Sequence, residues 1–312
     1  MKAFSSTLFG AIFSGILILA ALGASAQQRP VFSQYMFNPL AINPAFAGSQ
    51  DNLSVAALYR SQWVNLEGAP ETTTFAASTS VPDKNIGLGM IISRDQIGVH
   101  SEVSTYFSYS YVLHTRKGLL SMGLQGGFSN IRSDFNSLTL KHTDDVHLTG
   151  IVSNLTPNFG MGVFYLGKKF YAGFSVPYIR NTRFFDEDVL FSDARSRRYY
   201  FLSVGRLIDL NTRIQVKPEI LIRAQEGAPL GADVNGKLII DRKVALGASY
   251  RSGDALISTF EFELNDNFRL GYAYEYTMSG LNQFTRGTHE IMVNYRTNPI
   301  GGKKNKFCAT YF

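Results

Sequence analysis

The stretch His142-Thr143-Asp144-Asp145-Val146-His147 sets two imidazoles and two carboxylates close together. Both groups suit zinc-like divalent ions, so His142, Asp144, Asp145 and His147 are the candidate metal ligands of this chain. Their spacing matches no firm signature, and an unsupported loop rarely pre-forms a site. A solvated polar loop is the competing reading. A second acidic stretch, "FFDEDVLFSDAR" (184–195), has carboxylates for calcium but not the EF-hand order. Its aromatic residues suit contact with a protein instead. His100, His114 and His289 fall near predicted strand ends. No G-x-S-x-G elbow or H-E-x-x-H helix occurs, so nothing marks a catalytic centre. No cofactor is expected.

A larger set of charges recurs at every second position. In "RIQVKPEILIRAQ", Arg213, Lys217, Glu219 and Arg223 alternate with Ile214, Val216, Pro218, Ile220 and Ile222. In "NFRLGYAYEYT", Arg269 and Glu275 alternate with Phe268, Leu270, Tyr272, Tyr274 and Tyr276. Arg251, Glu261, Glu290 and Arg296 occupy equivalent positions in neighbouring runs. A period of two is the signature of a strand with one apolar and one polar face. These charges are expected to share an interior and form a salt-bridge lattice across it. A selective pore would more often show one sign dominating. Pro218, lacking an N–H, predicts a bulge or local break in its strand.

These faces require strands to position them. About fourteen alternating runs begin near Leu53, Thr72, Ile86, Val103, Leu119, Asn158, Phe170, Tyr199, Arg213, Leu230, Lys243, Ala255, Phe268 and His289. Short turns (82–85, 115–118, 167–169, 209–211, 241–242, 265–267) alternate with longer links (62–71, 130–154, 179–197, 278–287). The links after Ser93, Ala224 and Arg251 are intermediate. That asymmetry, the strand lengths and the aromatic-rich apolar face predict an all-β transmembrane antiparallel barrel. A secreted sandwich is the competing fold, since it too has one apolar and one polar face. An even strand count puts both chain ends on the short-turn side, the periplasm of an outer-membrane protein.

The chain ends divide the remainder. Lys2, the apolar stretch Leu8–Leu22 and the small-x-small site Ala24-Ser25-Ala26 predict a signal peptide over 1–26. Residues 27–50 contain "FSQYMFNPLAINPAFAG", apolar but broken by Asn38-Pro39 and Asn43-Pro44, which suits neither a long helix nor a strand. The expectation is a compact segment plugging or lining the periplasmic mouth; a loose leader is the alternative. The barrel would occupy 51–296, and a basic, aromatic periplasmic tail 297–312. Cys308 is the single cysteine, so no intramolecular disulfide framework exists. The net charge of +6 is scattered, with no basic helix, so nucleic acid is not an expected partner.

The block "FSQYMFNPLAINPAFAGSQDNLSVAALYRSQWVNLEGAPETTTF" resembles the start of the PorP/SprF family of type IX secretion system outer-membrane proteins of Bacteroidetes. Similar stretches follow at "NIGLGMII", "LTPNFGMGVFY", "EGAPLGADVN", "RLGYAYEYT" and "THEIMVNY", so the resemblance covers nearly the whole mature chain. The residues that carry it most specifically are Phe32, Gln34, Tyr35, Asn38, Pro39, Asn43, Pro44, Gly48, Arg60, Gln62 and Trp63. Trp63 reads either as an interfacial aromatic anchor or as a structural corner of the family-like "YRSQW". The resemblance implies a non-enzymatic protein of the outer-membrane lipid that acts in protein export, surface attachment or gliding motility. Its implied partners are the secretion machinery or a secreted cargo protein. A channel for small or hydrophobic solutes is the alternative function. A structural barrel binding a peptidoglycan-associated periplasmic protein is a third.

Overall fold

The computed structural model describes residues 32–50, 52–81, 84–137, 150–183, 195–196 and 198–297. The predicted signal peptide, the ligand candidates His142, Asp144, Asp145 and His147, most of the acidic stretch and nearly all of the tail lie outside the described residues.

The alternating runs form fourteen strands: β1 (Ser54–Ser61), β2 (Glu71–Val81), β3 (Ile86–Ile97), β4 (His100–His114), β5 (Gly118–Asp134), β6 (Ile151–Gly167), β7 (Phe170–Val176), β8 (Tyr199–Arg206), β9 (Ile214–Gln225), β10 (Gly231–Ile240), β11 (Val244–Arg251), β12 (Ala255–Glu263), β13 (Phe268–Thr277) and β14 (Thr288–Arg296). Each pairs antiparallel with its neighbours in sequence. β14 pairs with β1, from Ser54↔Arg296 to Ser61↔His289, and this closes the sheet into a barrel. A two-residue strand, Ile208–Asp209, continues along β9. A second short pairing joins Thr182–Arg183 to Arg195–Ser196.

Two links are tighter than the sequence suggests. The intermediate link after Ser93 is a two-residue turn, because β3 continues to Ile97 and β4 starts at His100. Gly98 takes the positive φ (+54°) that the turn needs. The long link 130–154 is likewise shortened at both ends by β5 and β6. The extra segments, such as Arg94-Asp95-Gln96 and Arg132-Ser133-Asp134, are polar on both faces and so carry no apolar alternation. Pro218 interrupts β9 on one edge alone. It stays in register with Gly236 of β10, whereas pairing with β8 stops at Glu219 and resumes on Ile208–Asp209 at Val216. There is a local break and no shift of register, because a missing N–H removes a bond without adding a residue.

The distribution of polarity is inverted relative to a soluble protein. Outside, Phe107, Leu124, Phe159, Ile220, Phe260 and Ile291 stand exposed; Leu124 is 62% accessible. Inside, Ser108, Ser110, Ser121, Thr156, Asn158 and Ser203 are buried. A continuous apolar outer band is favourable only against lipid. The competing sandwich is therefore excluded, and the expected barrel is what forms: one closed sheet with its apolar face outward is a transmembrane barrel.

Replacing outward-facing Leu124 by arginine should test this placement. Near the bilayer midplane such a change costs about 2–4 kcal/mol. The expected result is a lower urea midpoint for the barrel refolded in lipid vesicles, with little change for the inward Ser121→Thr.

Candidate functional site

The interior is occupied by the segment Phe32–Gln50, of which nearly every residue is buried. The two Asn-Pro pairs shape it. Pro39 and Pro44 each open a single 3₁₀ turn, Pro39–Ala41 and Pro44–Phe46. Proline at the first position presets φ and has no N–H to satisfy. The Asn43 side chain caps the second turn by accepting from the Ala45 N–H at 2.9 Å. The turns bring the apolar side chains out against the wall. Leu40, Ala45 and Phe46 pack on Ala76, Ile91, Val112 and Phe164, with the Phe46 and Phe164 rings edge-to-face at 5.4 Å. Tyr35, Met36, Phe37 and Ile42 pack on Leu58, Leu221 and Met292.

Close approach is possible because the wall lacks side chains where the segment touches it. A Cβ on Gly123 would lie 2.3 Å from the Ala45 nitrogen, and one on Gly87 would lie 2.1 Å from the Ala47 carbonyl oxygen. Polar groups of the wall then satisfy the segment's irregular backbone. Ser175 and Ser110 donate to the carbonyls of Ile42 and Ala47, each at 2.5 Å, and the Gly48 N–H donates to Ser78 at 3.1 Å. The Asn43 amide donates to the Val163 carbonyl at 3.0 Å. Buried backbone groups need such partners when no ladder supplies them.

The charged wall holds the other end of the segment. Glu290 accepts the N–H groups of Ser33 (3.0 Å) and Gln34 (2.8 Å). Arg60 grips Glu275 with both terminal guanidinium nitrogens (2.5 and 2.9 Å), reaches Glu290 at 3.2 Å and donates to the Ser33 hydroxyl at 2.9 Å. Glu275 also takes Arg251 (3.3 Å), which passes through Asp233 (3.2 Å) to Arg223 (2.8 Å). Lower in the lumen, Lys217 pairs with Glu219 at 2.9 Å, and Tyr171 donates to the same carboxylate at 2.5 Å. Lys237 pairs with Glu261 and lies over the Phe37 ring. Arg269 and Arg296 share Glu263. The Tyr35 hydroxyl accepts from the Asn235 amide. Burial first, then the nearby Glu219 and Asp233 carboxylates, hold its phenol protonated well above the ordinary 10.0.

The structure brings together Lys217, Glu219, Arg223, Arg251, Arg269, Glu275, Glu290 and Arg296 with Arg60, Gln34 and Tyr35. Arg213 does not join them. It precedes β9 in an exposed turn and faces Asp241 at 4.0 Å, because alternation no longer sets direction once the strand has ended. Gln62 and Trp63 lie outside the lumen lattice, in the β1–β2 link. There Trp63 takes a left-handed φ of +50°, its N–H meets the Thr288 hydroxyl, and Val64 bonds back to Gly287. That geometry is a structural corner. The segment is also not confined to the mouth where the strands begin and end. Gly48 lies near that rim, beside Ser78 and Gly87, whereas Ser33 and Gln34 reach Arg60, Glu275 and Glu290 toward the long-link ends of their strands. The buried carboxylates draw the segment upward, a pull that no local sequence signal carries.

Asp233, Lys237 and Glu263 were missing from the expected lattice. Asp233 and Lys237 follow the inward alternation of "ADVNGKL", and Glu263 is the next inward position after Glu261 in "FEFE"; the hydroxyl of Tyr171 carries no comparable signal. Among the described residues no group of three or more His, Cys, Asp or Glu side chains is placed to hold a metal.

Two substitutions separate the two halves of this packing. Glu275→Gln leaves Arg60 and Arg251 without their shared carboxylate, and breaking a buried pair costs about 3–5 kcal/mol. The expected reading is a marked drop in urea midpoint. Gly123→Leu should instead expel the Pro44–Phe46 turn, seen as protease cleavage within 32–50 while the barrel keeps its heat-modifiable mobility.

The comparisons with known proteins follow this geometry. Among solved structures, the chain is similar to the Acinetobacter baumannii outer membrane protein Omp33 (9% identity, 80% of this chain and 100% of that one, TM-score 0.47). It is similar also to a TodX deltaS2S3 mutant monoaromatic hydrocarbon channel (12% identity, 90% and 98%, TM-score 0.45) and to a KdgM porin (8% identity, 78% and 99%, TM-score 0.39). No curated protein matches the sequence. The family model described as type IX secretion system membrane protein PorP/SprF matches residues 24–295, which spans the lumenal segment and thirteen complete strands of the barrel and all but the last residue of β14, and the chain therefore belongs to the PorP/SprF family.

Proposed function

We propose that this protein is a non-enzymatic outer-membrane component of type IX protein secretion, or of the surface attachment of secreted cargo such as gliding adhesins. The observation that carries the reading is the lumen filled by the chain's own Phe32–Gln50, held by buried pairs of both signs. A barrel built around an internal anchor suits docking better than solute flow, for which one sign of lining charge would be expected. In this reading the short turns and the start of β1 face the periplasm, and the long links face outward. The secretion machinery or a cargo protein engages the protein there, with a peptidoglycan-associated protein as a partner for the short turns.

Quantifying secreted and surface-displayed proteins in a deletion strain tests the proposal. At least one type IX cargo should fall tenfold or more and return on complementation. Unchanged export and display of every cargo would overturn it. Solute conductance by the intact barrel in vesicles would favour the channel reading instead.

A further inference from the structure

The ring is closed through the lipid band, but its rim on the long-link side is uneven. β6 pairs with β5 along its whole length, Ile151–Gly167, and with β7 only from Met161 to Leu166. β7 does not continue upward. Past Val176 the chain turns into the lumen, where the Pro177 carbonyl accepts from Gln125 at 3.0 Å and Tyr178 meets the Tyr106 ring. The Asn158 side chain holds both backbone groups of Arg180, at 2.9 and 3.0 Å. Residues 151–160 of β6 thus overhang their neighbour.

Alternation settles which backbone groups face the open side. The Gly150 carbonyl accepts from Phe135 on the β5 side, and the Phe159 carbonyl accepts from Ile179 on the other. Successive residues of a strand point their N–H and C=O to opposite sides, so those of Ile151, Ser153 and Leu155 share the side of Phe159. Among the described residues they have no backbone partner there. Pro157, without an N–H, falls in the same set, where an unpaired side tolerates it. The cross-strand rows place this stretch above the lipid. Leu155 lies in register with Asn130, Val103 and Arg94, and Ser153 with Arg132, Ser101 and Gln96. Arg94, Gln96, Asn130 and Arg132 are exposed and polar, so water reaches the overhang. No charged residue lies within 151–160 to deter pairing, while Ile151 and Leu155 stand exposed on its outer face.

We propose that the overhang of β6 receives an extended segment of another protein as an added antiparallel strand. Main-chain bonds to Ile151, Ser153 and Leu155 would supply the affinity, and their outward side chains would select a segment with apolar residues at every second position. A second copy of this chain does not fit. Barrels inserted the same way round run their β6 strands parallel, and a twofold axis along the membrane normal would continue the outer face of one wall with the lumenal face of the other. The presence of a partner at this rim rests on the docking reading above; the site rests on the strand geometry.

Disulfide trapping on the purified, folded barrel tests the site. In a Cys308→Ser background, Leu155→Cys is the reporter, and Arg94→Cys, exposed in the same row on β3, controls for accessibility. The probe is a peptide of alternating valine and threonine with terminal lysines, a cysteine replacing each valine in turn. Strands lie about 4.8 Å apart and a disulfide needs Cα atoms within about 7 Å, so a strand added to β6 reaches position 155 and not 94. Most Leu155→Cys barrels should be trapped, with Arg94→Cys at background. Ser153→Pro, which removes an N–H from the open side, should bring trapping at 155 to background, and Ser153→Ala should not. Should the proline variant fail to fold, N-methylation of the peptide backbone applies the same test. Equal trapping at both positions, background trapping at 155, or trapping that survives loss of the N–H groups would overturn the inference. In cells, photoreactive benzoylphenylalanine in place of Leu155 should give an adduct with a separate protein that Ser153→Pro abolishes. An adduct confined to this chain, at 184–194 for instance, would overturn it. If the trapping holds while the deletion strain exports and displays every cargo, the proposed function falls and the strand-addition site stands.

Discussion

In lipid a backbone N–H or C=O has no water to turn to, and each unsatisfied group costs several kcal/mol. The pairing of β14 with β1 answers that constraint, because it leaves the fourteen-strand sheet without a free edge. The rest of the structure follows from closure. Once the sheet is a ring, side chains have two environments, lipid outside and lumen inside, and the strand period of two assigns every residue to one of them. The exposed Phe107 and Leu124 and the buried Ser108 and Gln125 are consecutive products of that rule.

Closure also creates an interior that must be filled or wetted. The two walls of this interior differ. Every buried charged side chain among the described residues belongs to β1 or to β9–β14, while the inward faces of β2–β8 bury Ser, Thr, Asn and Gln. The lumenal segment matches the division. Its Leu40–Ala47 portion packs against the uncharged wall, where glycines let backbone meet backbone. Its Ser33–Phe37 portion meets the charged wall, through Glu290, Arg60, Asn235 and Lys237. Desolvated charges are costly alone, so removing one member of the Arg60–Glu275–Arg251 chain disturbs the whole interior more than removing a surface pair would. The ion pairs and the segment therefore depend on each other: Ser33 and Gln34 complete the coordination of Glu290, and Glu290 fixes their position.

Much of this was legible in the sequence by itself. Strand number, the identity of the inward faces from Lys217 to Arg296, and the turns at Asn38-Pro39 and Asn43-Pro44 all follow from local chemistry: alternation, proline geometry and turn composition. Tertiary structure decided what local chemistry cannot encode. The strands extend beyond their apolar stretches at Ile97, His100 and Asp134 because a neighbour is there to pair with, although the pattern of two has faded. Arg213, one residue before β9, points to solvent while Lys217 points inward, because orientation is set by the ladder and ends with it. Arg60 meets Glu275 and Glu290 across 215 and 230 residues of chain, and only the closure of the ring makes them neighbours. The depth of the lumenal segment depends on those long-range pairs, and sequence-local rules contain no term for a partner that closure alone supplies.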